Sequence, residues 1–170
     1  NLKKKYKDLL TIIIPRHIHR VDEIVKEIED LKLNVIRHSS NSKNLKDIDI
    51  YLVDTYGETK DFYQISNIVF MGKSLTGKGG QNPLEPTRYN AAVLHGPNIT
   101  NFADTYKLLD KLRITHKVSG TSSLTNTINK LMIKPNNHKN YLKIEKMGKR
   151  ILHETKDEIN NLLNNEIKKT

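Results

Sequence analysis

Ile68-Val69-Phe70-Met71-Gly72-Lys73-Ser74-Leu75-Thr76-Gly77-Lys78-Gly79-Gly80-Gln81-Asn82-Pro83-Leu84-Glu85-Pro86 is the stretch on which the reading of the chain turns. The apolar run Ile68–Met71, bounded by Gly72, predicts a buried strand. Three glycines within four positions, 77 to 80, predict a flexible turn. A helix should follow, with Asn82 as N-cap, Pro83 at its first position and Glu85 three residues past the cap. Strand, glycine turn and capped helix start together make a common anion site, where backbone N–H groups and the helix dipole meet a phosphate. The same residues also fit a surface loop closed by an ordinary capping box. Neither G-x-G-x-x-G nor the Walker A loop is present, so the two commonest phosphate fingerprints are missing.

Outward from this stretch, strands and helices alternate. Residues 9–14, Leu-Leu-Thr-Ile-Ile-Ile, predict a central parallel strand buried on both faces and ended by Pro15. Ile18, Val21, Ile24, Val25, Ile28 and Leu31 recur at helical spacing. Strands are predicted at 34–38 and 49–53, and a short helix at 60–66. Beyond the glycine stretch come a strand at 91–94, a helix at 102–112 and a last strand at 115–118. Ser122 or Ser123 should cap the next helix. From about 141 to 170 the tail reads as one long helix or two. This rhythm predicts α/β architecture: one Rossmann-like domain over residues 1–170, with a doubly wound parallel sheet and a ligand crevice outside the carboxyl ends of the strands.

Composition narrows the class. At 170 residues the chain is long enough for one domain with a real core. It has no cysteine, hence no disulfide framework and no thiolate chemistry, and a reducing compartment suits it. Mean hydropathy is −0.62, no apolar run reaches membrane-spanning length and no signal peptide is visible. The chain starts at Asn1 within a basic stretch and reads as a piece of a longer protein. A net charge of +10 invites nucleic acid or an anionic membrane. The lysines are spread out and no aromatic interleaving accompanies them, so nucleic acid is not expected; a membrane surface fits better.

Chemistry should sit at the strand ends. Arg16, between a strand and a helix, can hold a phosphate or carboxylate in bidentate fashion. Its charge opposes the dipole of the helix it precedes, which favours a ligand role over a purely solvated one. Glu85, one turn into its helix, can accept both hydroxyls of a ribose or can simply close the capping box on Asn82. Asp54 and Glu58 are either an acid/base pair or plain turn residues. His17, His19 and His38 do not share a face and match no zinc spacing, so no metal site is expected.

Pro15-Arg16-His17, Asp54-Thr55-Tyr56-Gly57-Glu58, Phe70-Met71-Gly72-Lys73-Ser74-Leu75, Gly79-Gly80-Gln81-Asn82-Pro83-Leu84-Glu85-Pro86, Gly96-Pro97 and Asn101-Phe102 occur in this order. The ordered set closely resembles the C-terminal half of the Kdo (3-deoxy-D-manno-octulosonic acid) transferases, over about residues 9–134. The resemblance implies a GT-B glycosyltransferase that moves Kdo from CMP-Kdo to the lipid A precursor at the cytoplasmic face of the bacterial inner membrane, with inversion and without metal or other cofactor. It further implies that Arg16 holds the donor's phosphate or nucleotide and that Thr55, Tyr56 and Gly57 line the cytosine. Ser74, Gly79 and Gly80 would approach the phosphate and sugar, Glu85 would bind the ribose hydroxyls, and Asn82 would belong to the same nucleotide-sugar site. Gln81 departs from the family's usual histidine; it keeps a hydrogen-bond donor but carries no charge. The catalytic glutamate and the acceptor surface would lie in an N-terminal domain outside this chain, leaving a donor-binding piece that does not catalyse alone. The alternatives are another GT-B-like nucleotide-sugar enzyme, such as an epimerase, and a noncatalytic basic binding module.

Overall fold

The β-branched runs form six short strands, β1 (Thr11–Ile13), β2 (Val35–Arg37), β3 (Ile50–Leu52), β4 (Ile68–Phe70), β5 (Ala92–His95) and β6 (Thr115–Lys117), in the computed structural model, which describes residues 2–42, 44–77, 79–134 and 139–167. Helices separate them: α1 (Leu2–Lys5), α2 (Val21–Asp30), α3 (Thr59–Ile65), α4 (Leu84–Arg88), α5 (Ala103–Lys111), α6 (Thr121–Ile133) and α7 (Lys139–Ile167). Every ladder is parallel, as helical crossovers require. The fold is therefore α/β and Rossmann-like. Its ladders form two three-stranded sheets, ordered β1-β3-β2 and β4-β5-β6, and the chain divides into two compact units, Asn1–Ser66 and Asn67–Thr170.

In the first unit β3 is central, with Tyr51 opposite both Ile12 and Ile36. Leu52 and Val53 are buried, and α2 contributes Val21 and Ile28 to the interior. The expectation that β1 is buried on both faces is not met. Thr11 is exposed and Ile12 and Ile13 are half-buried, because β1 pairs on one side only, with β3.

In the second unit β5 is central and buried along its whole length. Ala92 and Leu94 pack with Val118 and Leu131, and Leu75 from the glycine stretch rests on this core beside Leu124 and Ile128. Tyr106 and Leu109 turn the apolar face of α5 inward, as their spacing predicts. Neither Ser122 nor Ser123 caps α6. Leu124 N already donates to Gly120 O at 2.9 Å, so the helix starts at Thr121 and both serines lie inside its first turn. The tail is one helix, α7; every residue described in it from 148 to 165 is exposed.

Candidate functional site

Arg16 lies just past the end of β1, exposed, and among the described residues its guanidinium makes no hydrogen bond or ion pair. Past β3, residues 54–58 form a turn whose side chains are tied to the segment after β2. Asp54 Oδ1 accepts from Ser39 N at 2.9 Å and Oδ2 from Ser39 Oγ at 2.5 Å. Glu58 accepts from the Thr55 hydroxyl, and its Oε1 lies 3.1 Å from His38 Nε2. His38 Nδ1 is 2.7 Å from Tyr51 Oη. A neutral ring with its proton on Nε2 satisfies both contacts, donating to the carboxylate and accepting from the phenol.

Burial pushes the Asp54 carboxyl up, but the two Ser39 hydrogen bonds outweigh it and hold the group below the ordinary aspartate range. The Thr55 hydroxyl, then His38, hold Glu58 below the glutamate range. A general base working near neutrality needs the opposite shift. Of the two readings of this pair, the geometry supports the turn residues. What the turn offers outward is Tyr56, a residue 76% exposed, and Gly57, at φ +94° with nothing within 4 Å of where a side chain would begin.

In the second unit the glycine loop after β4 is laid against the loop after β5. Ser74 is completely buried; its Oγ donates to Met71 O at 2.5 Å and accepts from Gly96 N at 2.8 Å. Asn98 N donates to Ser74 O at 2.9 Å and Asn98 Nδ2 to Leu75 O at 3.2 Å. Asn101 N donates to Gly79 O at 2.9 Å, and Tyr106 Oη to Gln81 O at 3.1 Å. Gly79 and Gly80 take φ +100° and +68°. A Cβ at Gly79 would meet Asn101 Nδ2 at 2.6 Å, and one at Gly80 would meet Asn98 O at 2.9 Å. Contact with the neighbouring backbone thus favours glycine at position 80, whereas at 79 the atom met is the tip of the Asn101 side chain and the left-handed φ is the firmer demand. The Ser74 hydroxyl, with both its partners internal, braces the loop rather than facing outward. Lys78 lies outside the described residues.

Asn82 caps as its position implies, with Oδ1 accepting from Leu84 N at 3.0 Å, although regular helix begins only at Leu84, with Pro83 before it. Helix α4 has five residues, too few turns for a strong dipole, so the helix part of the expected anion site is weak. The capping box does not close. Glu85 is exposed and, among the described residues, forms no hydrogen bond or ion pair. The structure thus brings Ser74, Gly79, Gly80, Asn82 and Glu85 together on one unit, and Thr55, Tyr56 and Gly57 on the other with Arg16. Sequence reasoning did not foresee the bracing hydrogen bonds of Ser39, His38, Asn98 and Tyr106. Short polar residues a few positions past the ends of β2 and β5 were the available clue, since such side chains commonly bond nearby backbone.

No protein-family model matches the chain. It is similar to a 3-deoxy-D-manno-octulosonic acid transferase of Haemophilus influenzae, 33% identical over 121 residues, covering 71% of this chain and 28% of that protein. A protein of the same description from Rickettsia bellii is 31% identical over 161 residues, covering 91% of this chain and 38% of the relative. Among solved structures, the C-terminal CMP-Kdo binding domain of WaaA from Acinetobacter baumannii aligns with a TM-score of 0.74 and 26% identity, covering 78% of this chain and 69% of that one. The chain spans well under half the length of these two curated relatives.

Proposed function

We propose that this chain, which belongs to the 3-deoxy-D-manno-octulosonic acid transferase family and corresponds to its C-terminal part, binds the donor CMP-Kdo for transfer of Kdo to the lipid A precursor in lipopolysaccharide synthesis. The likeness to a CMP-Kdo binding domain carries this reading. The unspent groups past the strand ends support it. Arg16 offers a fork of donors for the phosphate, Tyr56 an exposed ring for the cytosine, and Glu85 an exposed carboxylate for the ribose hydroxyls. Gly79, Gly80 and Asn82 shape the loop that would receive the sugar side, and Ser74 holds that loop in place.

On this reading the acceptor is bound, and the base supplied, by a part of the enzyme beyond these residues. Asp54 and Glu58, held ionised by internal partners, make poor substitutes. Transfer would draw on no metal ion or other cofactor. The enzyme would work at the cytoplasmic face of the bacterial inner membrane, in contact with its anionic surface, and would not bind nucleic acid. Among the described residues no helix is long and apolar enough to cross a membrane. The chain alone should bind CMP-Kdo and transfer nothing, because glycosyl transfer needs donor, acceptor and base in one geometry.

A nucleotide thermal-shift panel tests the reading. CMP at 100 times its Kd should stabilise the protein by about 2.7 kcal/mol, and UMP should not. Glu85→Gln should weaken CMP more than 2′,3′-dideoxy-CMP while leaving the free protein's melting point nearly unchanged, since Glu85 closes no cap. A folded sample indifferent to millimolar CMP would refute the assignment.

A further inference from the structure

Six described residues other than glycine have positive φ: Lys32, Asn41, Asp47, Lys73, Asn90 and Arg113. Lys32, Asn90 and Arg113 fall just past the ends of α2, α4 and α5, where a left-handed residue terminates a helix. Lys73 has no such helix to end. It stands at φ +68° in the loop after β4, in a conformation that disfavours any residue with a Cβ. Glycine would fit there without that cost.

The surroundings accommodate the lysine side chain. Its Cγ and Cδ fill the space where a side chain on Gly77 would start, at 2.4 Å and 3.3 Å from the position of a Cβ, and Gly77 N donates to Lys73 O at 2.9 Å. The stem is thus laid across a glycine. Lys73 as a whole is exposed, and among the described residues its ammonium makes no hydrogen bond or ion pair. Backbone strain, a cleared path for the stem and an unpaired charge coincide on the loop assigned above to the sugar side of the donor. Strain that packing does not use is commonly held for a ligand.

We infer that Lys73 is a specificity residue of the donor site, its ammonium pairing with the carboxylate that an octulosonic acid carries and a bare nucleotide lacks. This rests on the proposed CMP-Kdo binding.

The test is calorimetric titration of CMP and of CMP-Kdo into wild type, Lys73→Gly and Lys73→Arg, with the melting temperature of each free protein. Lys73→Gly should bind CMP as wild type does and CMP-Kdo about tenfold more weakly, the low end for a charged hydrogen bond. It should also melt about 2–4 °C higher, because the left-handed backbone is relieved. A residue with a purely structural role would not combine a gain in stability with a loss of one ligand. Lys73→Arg, which keeps the charge, should retain CMP-Kdo. Unchanged CMP-Kdo affinity in Lys73→Gly overturns the inference while wild-type CMP binding leaves the proposed function standing. Equal loss of both ligands also overturns it, moving Lys73 to the phosphate. Wild type binding neither ligand defeats both readings.

Discussion

The turn after β3 and the loop after β4 are both braced by the segment that follows a neighbouring strand, but by different physics. Residues 54–58 are held through charged or polar side-chain tips: Asp54 on Ser39, Glu58 on Thr55 and His38. These groups reach solvent, and Gly57 between them has open space around it. Residues 72–77 and 79–82 are held instead by the buried neutral hydrogen bonds of Ser74 and by close backbone approaches at Gly80 and Gly96 that no side chain can share. The first brace can be loosened by protonation or by altering a single charge. The second can be broken only by adding atoms or by orphaning a buried donor. A loop that must keep one shape suits the second kind, whereas an aromatic platform such as Tyr56 needs only its base held.

The contrast is sharpest at two glycines. A Cβ on Gly96 would sit 2.3 Å from Ser74 O and 2.7 Å from Leu75 N, both backbone atoms. Gly96→Ala should therefore destabilise the protein by about 3 kcal/mol, the upper range for overpacking. Gly57→Ala, with nothing to strike, should cost only the left-handed backbone term, about 1 kcal/mol. Urea denaturation of both variants checks this, and equal losses would break the comparison.

A smaller effect is expected at Ser74. Ser74→Ala removes the acceptor for the buried Gly96 N–H and should cost about 1–3 kcal/mol. Thr55→Ala, on the exposed brace, should cost less. The order of their denaturation midpoints decides the point.

The smallest effect is a pH dependence confined to the first brace. Asp54 and Glu58 titrate lower in the folded protein than when unfolded. Their contribution is complete above the ordinary values near 3.8 and 4.5 and is lost as pH falls through the depressed ones. The double variant Asp54→Asn, Glu58→Gln should flatten the acid limb of the melting-temperature profile below about pH 4.5, and solvent exposure keeps the change modest. A profile as steep as wild type would remove these carboxylates from the brace.

Strand and helix positions were legible because apolar periodicity is a local property: Ile68–Phe70, Ala92–His95 and the buried Tyr106 face of α5 lie within a residue or so of where the pattern puts them. The Asn82 cap was legible for the same reason, since its bond spans two residues. The fate of Glu85 was not. A capping box and a free carboxylate share one spacing, and only the position of Leu84 and its neighbours separates them. Nor was the reason for Gly79 and Gly80 visible, because the atoms they make room for belong to Asn98 and Asn101, about twenty residues further on.

By itself the sequence determined the α/β alternation, the absence of thiol chemistry and an ordered set of motifs dense enough to name a family. Those properties reside in composition, in period and in short spacings, which survive without any fold. Only the tertiary structure decided how each motif is used: Ser74 turned inward as a brace, Glu58 engaged by His38, Arg16 and Glu85 exposed and without a hydrogen bond or ion pair among the described residues, and Lys73 strained across Gly77. A side chain's role depends on which atoms are within about 3 Å of it, the reach of a hydrogen bond. In a parallel sheet those atoms come from the loop of the adjacent strand, a neighbour set by strand order and not by position along the chain.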